Sequence, residues 1–499
     1  MKIIKSATLN DLEANEVFVE ATFTKGLPSF TIVGMVSTAI NESKDRVKSA
    51  LLTNEYKFPP KKVTINLAPS EIKKTGTHFD LPIALLISLY EEKIKKLDNY
   101  HIFGELSLNG TIKDSISIFP IILSLAKKKI IKEILVCEDS AKKISKIPNI
   151  KIYCVKNLLD AIEFFKTENK ERFLYEKEDL DYNKIIIDKK EFYYTTEYKQ
   201  DFLDIKGQEY AKRAALISAA GNHNIILEGS PGCGKTMIAR RLPYIMSPMS
   251  LEEILEVAKL EALNLKEPSF KPLRVQRSPH CTSTKASILG GNSLGEVALA
   301  NNGSLFFDEL PHFSSSILEA LREPLQDYKL LVSRASSKVI YDTKFLFVAA
   351  MNPCPCGNLL LKENKCRCNE LEIKRYKARL SEPFLDRIDL YVTMNETDIN
   401  DKPTISSKQM HEKVIESFKL QKLRGQEELN GKLSDEEIKK YCILEKNSQE
   451  ILEKASINFN LSFRSINKIL KVARTIADLD SCENIKDKHL LEALSYRRR

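Results

Sequence analysis

The sequence predicts an α/β protein: an N-terminal α/β unit, a mostly parallel sheet carrying a phosphate-binding loop, and a helical C-terminal lid. Three observations predict it. Short apolar segments alternate with helical patterns through residues 1–167. A glycine-rich stretch, Gly229-Ser-Pro-Gly-Cys-Gly-Lys235-Thr236, follows the apolar run 225–227 and opens a helical pattern, and later apolar segments are separated by further helical stretches. Beyond Asn400 nearly everything repeats with helical spacing.

In chain order, residues 1–167 contain strand-length segments such as Thr31-Ile-Val, Val63-Thr-Ile-Asn-Leu and Ile134-Leu-Val, with helical spacing at 43–52 and 82–90. Residues 168–200 turn charged and Tyr-rich, with Glu-Lys-Glu-Asp at 176–179 and Phe-Tyr-Tyr at 192–194, and read as a connector with room for one strand. Residues 201–398 form the nucleotide block, with strands expected at 225–228, 303–307, 345–350 and 388–393. Residues 399–499 form the lid. There a Ser434-Asp-Glu-Glu437 capping box precedes apolar positions 466, 469, 470, 473, 476 and 477 in helical register.

The chain of 499 residues is too long for one ordinary core. Hydrophobic residues at 43% and charged residues at 29% give a globular composition. The longest apolar runs, 81–89 and 118–123, fall far short of the roughly 20 residues of a membrane span. The start of the chain lacks a signal-peptide core, so the expected location is cytoplasmic, with no membrane partner. A net charge of +9 is compatible with a polyanionic partner without identifying one. Ten cysteines in such a chain argue against a disulfide framework, and four of them cluster. Cys233, inside the glycine-rich loop, reads as a small space-filling side chain rather than a redox switch.

The loop predicts ATP binding. The backbone of Gly229, Ser230, Pro231, Gly232, Cys233 and Gly234 forms a cradle whose glycines let N–H groups converge on phosphate oxygens; Lys235 reaches the β and γ phosphates, and Thr236 offers a hydroxyl to Mg2+. Such a loop alone does not separate a switch, a kinase and a motor. The apolar segment Leu305-Phe-Phe-Asp308-Glu309 does: Asp308 is placed to hold the magnesium hydration shell and Glu309 to polarise the attacking water. The next expected strand ends at Asn352, a residue able to orient water and contact the γ phosphate. That order fits an AAA+ ATPase. Arg387, in Leu385-Asp-Arg-Ile-Asp389, is placed as a finger for a neighbouring subunit's nucleotide. Ser462 reads as the N-cap of a helix with Arg464, Lys468 and Lys471 on its polar face. Arg464 then reaches the nucleotide of its own subunit, or the three bases form a solvated face.

The segments GCGKT, SLGEVALANNGSLFFDELP, VSRAS, AAMNPCPCG, FLDRIDL and ILKVARTIADL, with FTIVGM, INLAPSEIKKTGTHFDLPIAL and GELSLNG nearer the N-terminus, resemble the ComM/YifB family of magnesium-chelatase-like AAA+ proteins across nearly the whole chain. The resemblance implies a Lon-protease-like domain in residues 1–167 joined to an AAA+ core. It also implies a hexameric DNA motor that promotes branch migration in natural transformation. Two departures stand out: Cys281 where the family usually has a second His after His280, and Ser381-Glu-Pro where Ser-Gly-Pro is usual. Neither touches the nucleotide chemistry.

Cys354-Pro-Cys356-Gly and Cys366-Arg-Cys368 follow the third expected strand of the nucleotide block directly. Four thiolates so close can make a tetrahedral zinc site, although C-x-C is a tighter bite than C-x2-C. Four reduced thiols on a loop, or a cluster regulated by oxidation, satisfy the same spacing. Zinc here would staple a loop between Asn352 and Arg387, linking metal to ring assembly. The segment 329–341 has β character on both sides of a polar tip. In the clade it resembles, such a hairpin points into a central pore, making Arg334 and Lys338 candidate contacts to DNA phosphates; a merely soluble hairpin carries the same bases. No role is assigned to His280, near Arg277. In the N-terminal unit, Thr75-Gly-Thr-His-Phe-Asp80 stands where a Lon-like chain presents its serine, and Ile118-Phe119 stands about where the lysine would lie, which argues against peptidase activity.

The leading expectation is an ATP- and Mg2+-dependent homo-hexamer acting on single-stranded or branched DNA, with recombination proteins as candidate partners. A metal-insertion motor like the magnesium-chelatase subunit shares the core but lacks the Lon-like domain and the C-x-C pairs. A nucleotide-gated loader or scaffold needs the same ATP site, and the sequence does not separate it from the motor.

Overall fold

A computed structural model of the chain describes residues 2–92, 97–334, 338–361, 365–396, 398 and 400–498. Two compact units emerge, Met1–Asp181 with Ala258–Phe270, and Tyr182–Val257 with Lys271–Arg499. No helix among the described residues is long and apolar enough to cross a membrane.

The first unit is built on a seven-stranded sheet in the order Ser29–Val33, Lys62–Ala68, Glu13–Thr24, Lys2–Asn10, His101–Ile102, Glu133–Val136, Lys151–Cys154. Glu13–Thr24 runs antiparallel to both of its neighbours, and the remaining pairs are parallel. Alternation in Lys62–Ala68 sends Val63, Ile65 and Leu67 into the core. The helix Asp80–Ser88 is apolar on all sides from Leu81 to Ile87 and is buried over that stretch. Its first residue, Asp80, is a fully buried carboxylate, held by the Ser43 hydroxyl, by Arg46 Nε at 2.7 Å and by the Leu106 N–H at 3.2 Å. Burial pushes the Asp80 carboxyl up, and the bonds from Arg46 and Ser43 oppose that shift. Arg46→Met strands this charge and is expected to destabilise the unit by about 3–5 kcal/mol. Hydrogen exchange reads it directly: unchanged protection of Asp80–Ser88 would show that the ion pair contributes little.

The second unit contains a five-stranded, wholly parallel sheet in the order Gln276–Arg277, Ser304–Phe307, Leu346–Met351, Ile225–Gly229, Leu390–Met394. Ser304–Phe307, Leu346–Met351 and Ile225–Gly229 are buried along their whole length. Burial on both faces is why they read as unbroken apolar runs. The edge strand Gln276–Arg277 has two residues, too few to leave a periodic signal. Within 168–200, Asn183–Ile187 and Lys190–Tyr194 form a hairpin that continues onto Met249–Ser250, giving two strands where one was expected. Its turn residues, Asp188 and Lys189, both have positive φ (47° and 65°). Such a turn normally announces itself with Asn or Gly, so the sequence concealed it.

The lid comprises the helices Ser407–Leu423, Asp435–Tyr441, Lys446–Asn458, Phe463–Leu479 and Asp487–Ser495. Ser434 and Glu437 close the expected capping box. Phe463–Leu479 buries Ile469, Val472, Ala473, Ile476 and Ala477 in one core with Ile225, Leu227, Leu390 and Val392 of the sheet. The lid thereby packs against the strand that carries the glycine-rich loop.

Candidate functional site

Three strands of the parallel sheet, Ser304–Phe307, Leu346–Met351 and Ile225–Gly229, end side by side, and the polar residues that follow them converge there. After Ile225–Gly229 the chain turns through Gly232 (φ 82°) and Gly234 (φ 95°) before the helix Lys235–Arg241. Both angles are left-handed and favour glycine. A Cβ added at either position would meet nothing within 4 Å, whereas one at Gly229 would lie 2.6 Å from Cys233 Sγ. The loop is therefore open on the side of Gly232 and Gly234 and filled behind by buried Cys233, whose thiol burial pushes up. That packing fits the space-filling role.

Lys235 Nζ donates to the carbonyls of Gly229 (2.5 Å) and Ser230 (2.9 Å) and to Asn352 Oδ1 (3.2 Å). Burial lowers its pKa from the usual lysine value. Thr236 Oγ1 donates to Asp308 Oδ2 at 3.1 Å, and the other Asp308 oxygen accepts the Glu309 N–H at 3.1 Å. Glu309 is exposed with φ 54°, a left-handed conformation that is uncommon outside glycine. A lysine, a hydroxyl and a carboxylate around an open glycine loop match what a triphosphate and a hard divalent cation require.

Arg387 and Arg464 lie in a second cluster. Arg387 Nη2 and Arg464 Nη2 both donate to Gln326 Oε1, at 2.7 and 3.2 Å, and Arg387 Nη1 donates to the Pro383 carbonyl. Asp386 lies 3.4 Å from Arg464 Nε and 3.1 Å from Lys468 Nζ. Burial lowers the Arg387 pKa, and the like charges of Arg464 and Arg322 add to the effect. Two guanidinium groups thus lie together at Gln326, with the Asp386 carboxylate beside Arg464. The structure thus joins Lys235, Thr236, Asp308 and Asn352 at one place, with Glu309 next in chain, and joins Arg464 to Arg387 at another.

The four clustered cysteines also meet. Cys354 Sγ lies 3.4 Å from Cys356 Sγ and 3.7 Å from Cys366 Sγ, Cys356 lies 3.7 Å from Cys366, and all four sulfurs, Cys368 included, fall within 4.8 Å of one another. The segment 329–341 is a hairpin, Lys329–Ser333 against Lys338–Asp342, with exposed Leu331 opposite exposed Ile340. Arg334 folds back to donate to Tyr341 Oη at 2.7 Å; residues 335–337 lie outside the described residues. His280 Nδ1 contacts Thr282 Oγ1 at 2.8 Å, and Arg277 pairs with Glu296 at 2.5 and 2.8 Å. In the N-terminal unit Thr77 donates to Glu105, and Ile118 and Phe119 are buried.

Sequence reasoning missed two contributors. Gln326 bridges the arginines. Tyr376, in the helix Glu370–Lys377, lies beside the Asn352 backbone, and burial pushes its phenol up to about 12. Neither belongs to a local motif, and only three-dimensional proximity marks them.

Comparison with known proteins agrees with this geometry. The family described as magnesium chelatase, subunit ChlI, matches residues 201–402, the subunit ChlI of Mg-chelatase matches 19–140, and the ChlI C-terminal family matches 404–497. The chain is 35% identical over 510 residues to the competence protein ComM of Haemophilus influenzae, covering 100% of this chain and 97% of that protein. It is 36% identical over 511 residues to the uncharacterized protein YifB of Escherichia coli, with the same coverage, and 30% identical over 399 residues to an uncharacterized protein of Mycobacterium tuberculosis, covering 78% of this chain and 76% of that one. With full-length likeness and the phosphate-loop sheet pointing the same way, the chain belongs to the ComM/YifB family of magnesium-chelatase-like AAA+ proteins.

Proposed function

We propose that this protein is an ATP-hydrolysing, cytoplasmic homo-hexamer that moves single-stranded or branched DNA, driving branch migration in recombination or natural transformation alongside recombination proteins. The observation that carries the reading is the meeting of Lys235 with Asn352 and of Thr236 with Asp308 at the ends of adjacent parallel strands. In this reading the backbone of 229–234 and Lys235 hold the phosphates, and Thr236 and Asp308 orient Mg2+, which neutralises phosphate charge when bound. Glu309 takes the proton of the attacking water, and Asn352 orients it. Arg387 and Arg464, gathered at Gln326 rather than bonded to the loop, serve the nucleotide of a neighbouring copy, so a ring is needed for turnover. Residues 1–167 act as a Lon-like domain supporting assembly, 168–200 as a connector, 201–398 as the ATPase core and 399–499 as the lid. Lys338 on the hairpin supplies a phosphate contact, and the likeness to a competence protein favours DNA as the substrate.

The deciding measurement is ATPase activity with no DNA, with single strands and with four-way junctions, following junction resolution in parallel. DNA is expected to raise turnover and junctions to resolve. Stimulation without junction movement would indicate a loader, and indifference to every DNA would favour a metal-insertion motor.

A further inference from the structure

The four-cysteine cluster has the dimensions of a single-ion site. Four sulfurs each about 2.3 Å from one ion, at tetrahedral angles, stand about 3.8 Å apart. The measured separations of 3.4, 3.7 and 3.7 Å sit near that edge length, and the fourth sulfur stays within 4.8 Å of the rest. Cys354 is fully buried and the other three are half-buried, and the four sulfurs lie close to one another.

The same loop touches the nucleotide pocket. Cys354 follows Asn352 by two residues. Gly357 sits at φ 80°, and a Cβ there would fall 2.7 Å from Pro231 Cδ and 2.8 Å from Cγ, so its backbone lies flush against the glycine-rich loop. Directly after Cys368, an Asn369 capping box starts the helix Glu370–Lys377. That helix brings Tyr376 beside the Asn352 backbone and Lys377 to Glu228, 3.2 Å away, the residue just before Gly229.

We propose that Cys354, Cys356, Cys366 and Cys368 bind one zinc ion that acts as a positioning element for the nucleotide pocket, fixing Asn352 and the Pro231 side of the loop, rather than as a device of ring assembly. This rests on the nucleotide reading given above. The ion closes the loop between Gly357 and the helix Glu370–Lys377, so its loss frees both supports of Asn352 together.

Elemental analysis of untreated full-length protein is expected to give one zinc per chain. Removing it with phenanthroline, with helicity checked by circular dichroism, should weaken binding of a fluorescent ADP analogue by about tenfold, and added zinc should restore it. Gly357→Ala should retain zinc yet weaken the analogue, because the new Cβ presses on Pro231; parent-level affinity in that variant would overturn the contact between the cysteine loop and the pocket on which the coupling depends. A folded, zinc-free chain that binds the analogue fully, zinc removal without an affinity change, or disulfides pairing the four thiols would each overturn the proposal. Zinc in a chain that binds no nucleotide at all would instead sink the pocket reading on which the coupling depends.

Discussion

Glu309→Gln is expected to keep nucleotide affinity within about twofold of the parent while lowering turnover by about 10²–10⁴-fold, the usual contribution of a general base. The amide keeps the size and shape of the carboxylate but cannot take a proton. The pocket does not depend on this side chain for its shape: Thr236 and the Glu309 backbone N–H hold Asp308, Lys235 is held by carbonyls and Asn352, and Glu309 is exposed. Its left-handed backbone is retained in the variant, because Gln has the same Cβ. Equilibrium binding of a fluorescent ATP analogue, set beside steady-state phosphate release, separates the two effects. Ordinary turnover by the Gln variant removes Glu309 from the chemistry, and a parallel loss of affinity makes its role one of shaping the site.

Arg387→Ala should leave nucleotide affinity nearly intact and lower hydrolysis in assembled rings by about 10³-fold or more, the contribution expected of an arginine finger. Its guanidinium is bonded to Gln326 and the Pro383 carbonyl, not to the glycine-rich loop, so removing it leaves the subunit's own phosphate contacts in place. Mixing this variant with Lys235→Ala tests sharing. An interface that takes its loop from the Arg387 variant and its finger from the Lys235 variant is wholly native, so activity should reappear in the mixture when neither parent has any. Arg464→Ala extends the test. Its neighbours Gln326 and Asp386 group it with Arg387, and rescue by Lys235→Ala is then expected for it too. Failure of rescue for Arg464 alone returns that residue to the nucleotide of its own subunit. A monomer that hydrolyses ATP at the full rate would end the shared-site reading.

Much of the fold was legible because its signals are local. Ile225–Gly229, Ser304–Phe307 and Leu346–Met351 are buried on both faces, so each shows as an apolar run, and the Ser434–Glu437 box and the helix Phe463–Leu479 carry their own start and period. The second strand of the hairpin at 183–194 left no local signal because Asp188 and Lys189 make its turn without glycine, and Gln276–Arg277 left none because two residues have no period.

At the site, spacing along the chain settled which residue types were available: a glycine-rich loop with lysine and threonine, an acidic pair after an apolar strand, two close cysteine pairs. Folding decided which of them meet. Lys235 and Asn352 are 117 residues apart and touch only because their strands are neighbours in the sheet. Arg464 stands with Arg387 through Gln326, and the cysteine loop rests on Pro231 through Gly357. Periodicity and motif arise from the geometry of a few consecutive residues, whereas these contacts arise from the order in which distant strands and helices pack, which no window of sequence contains.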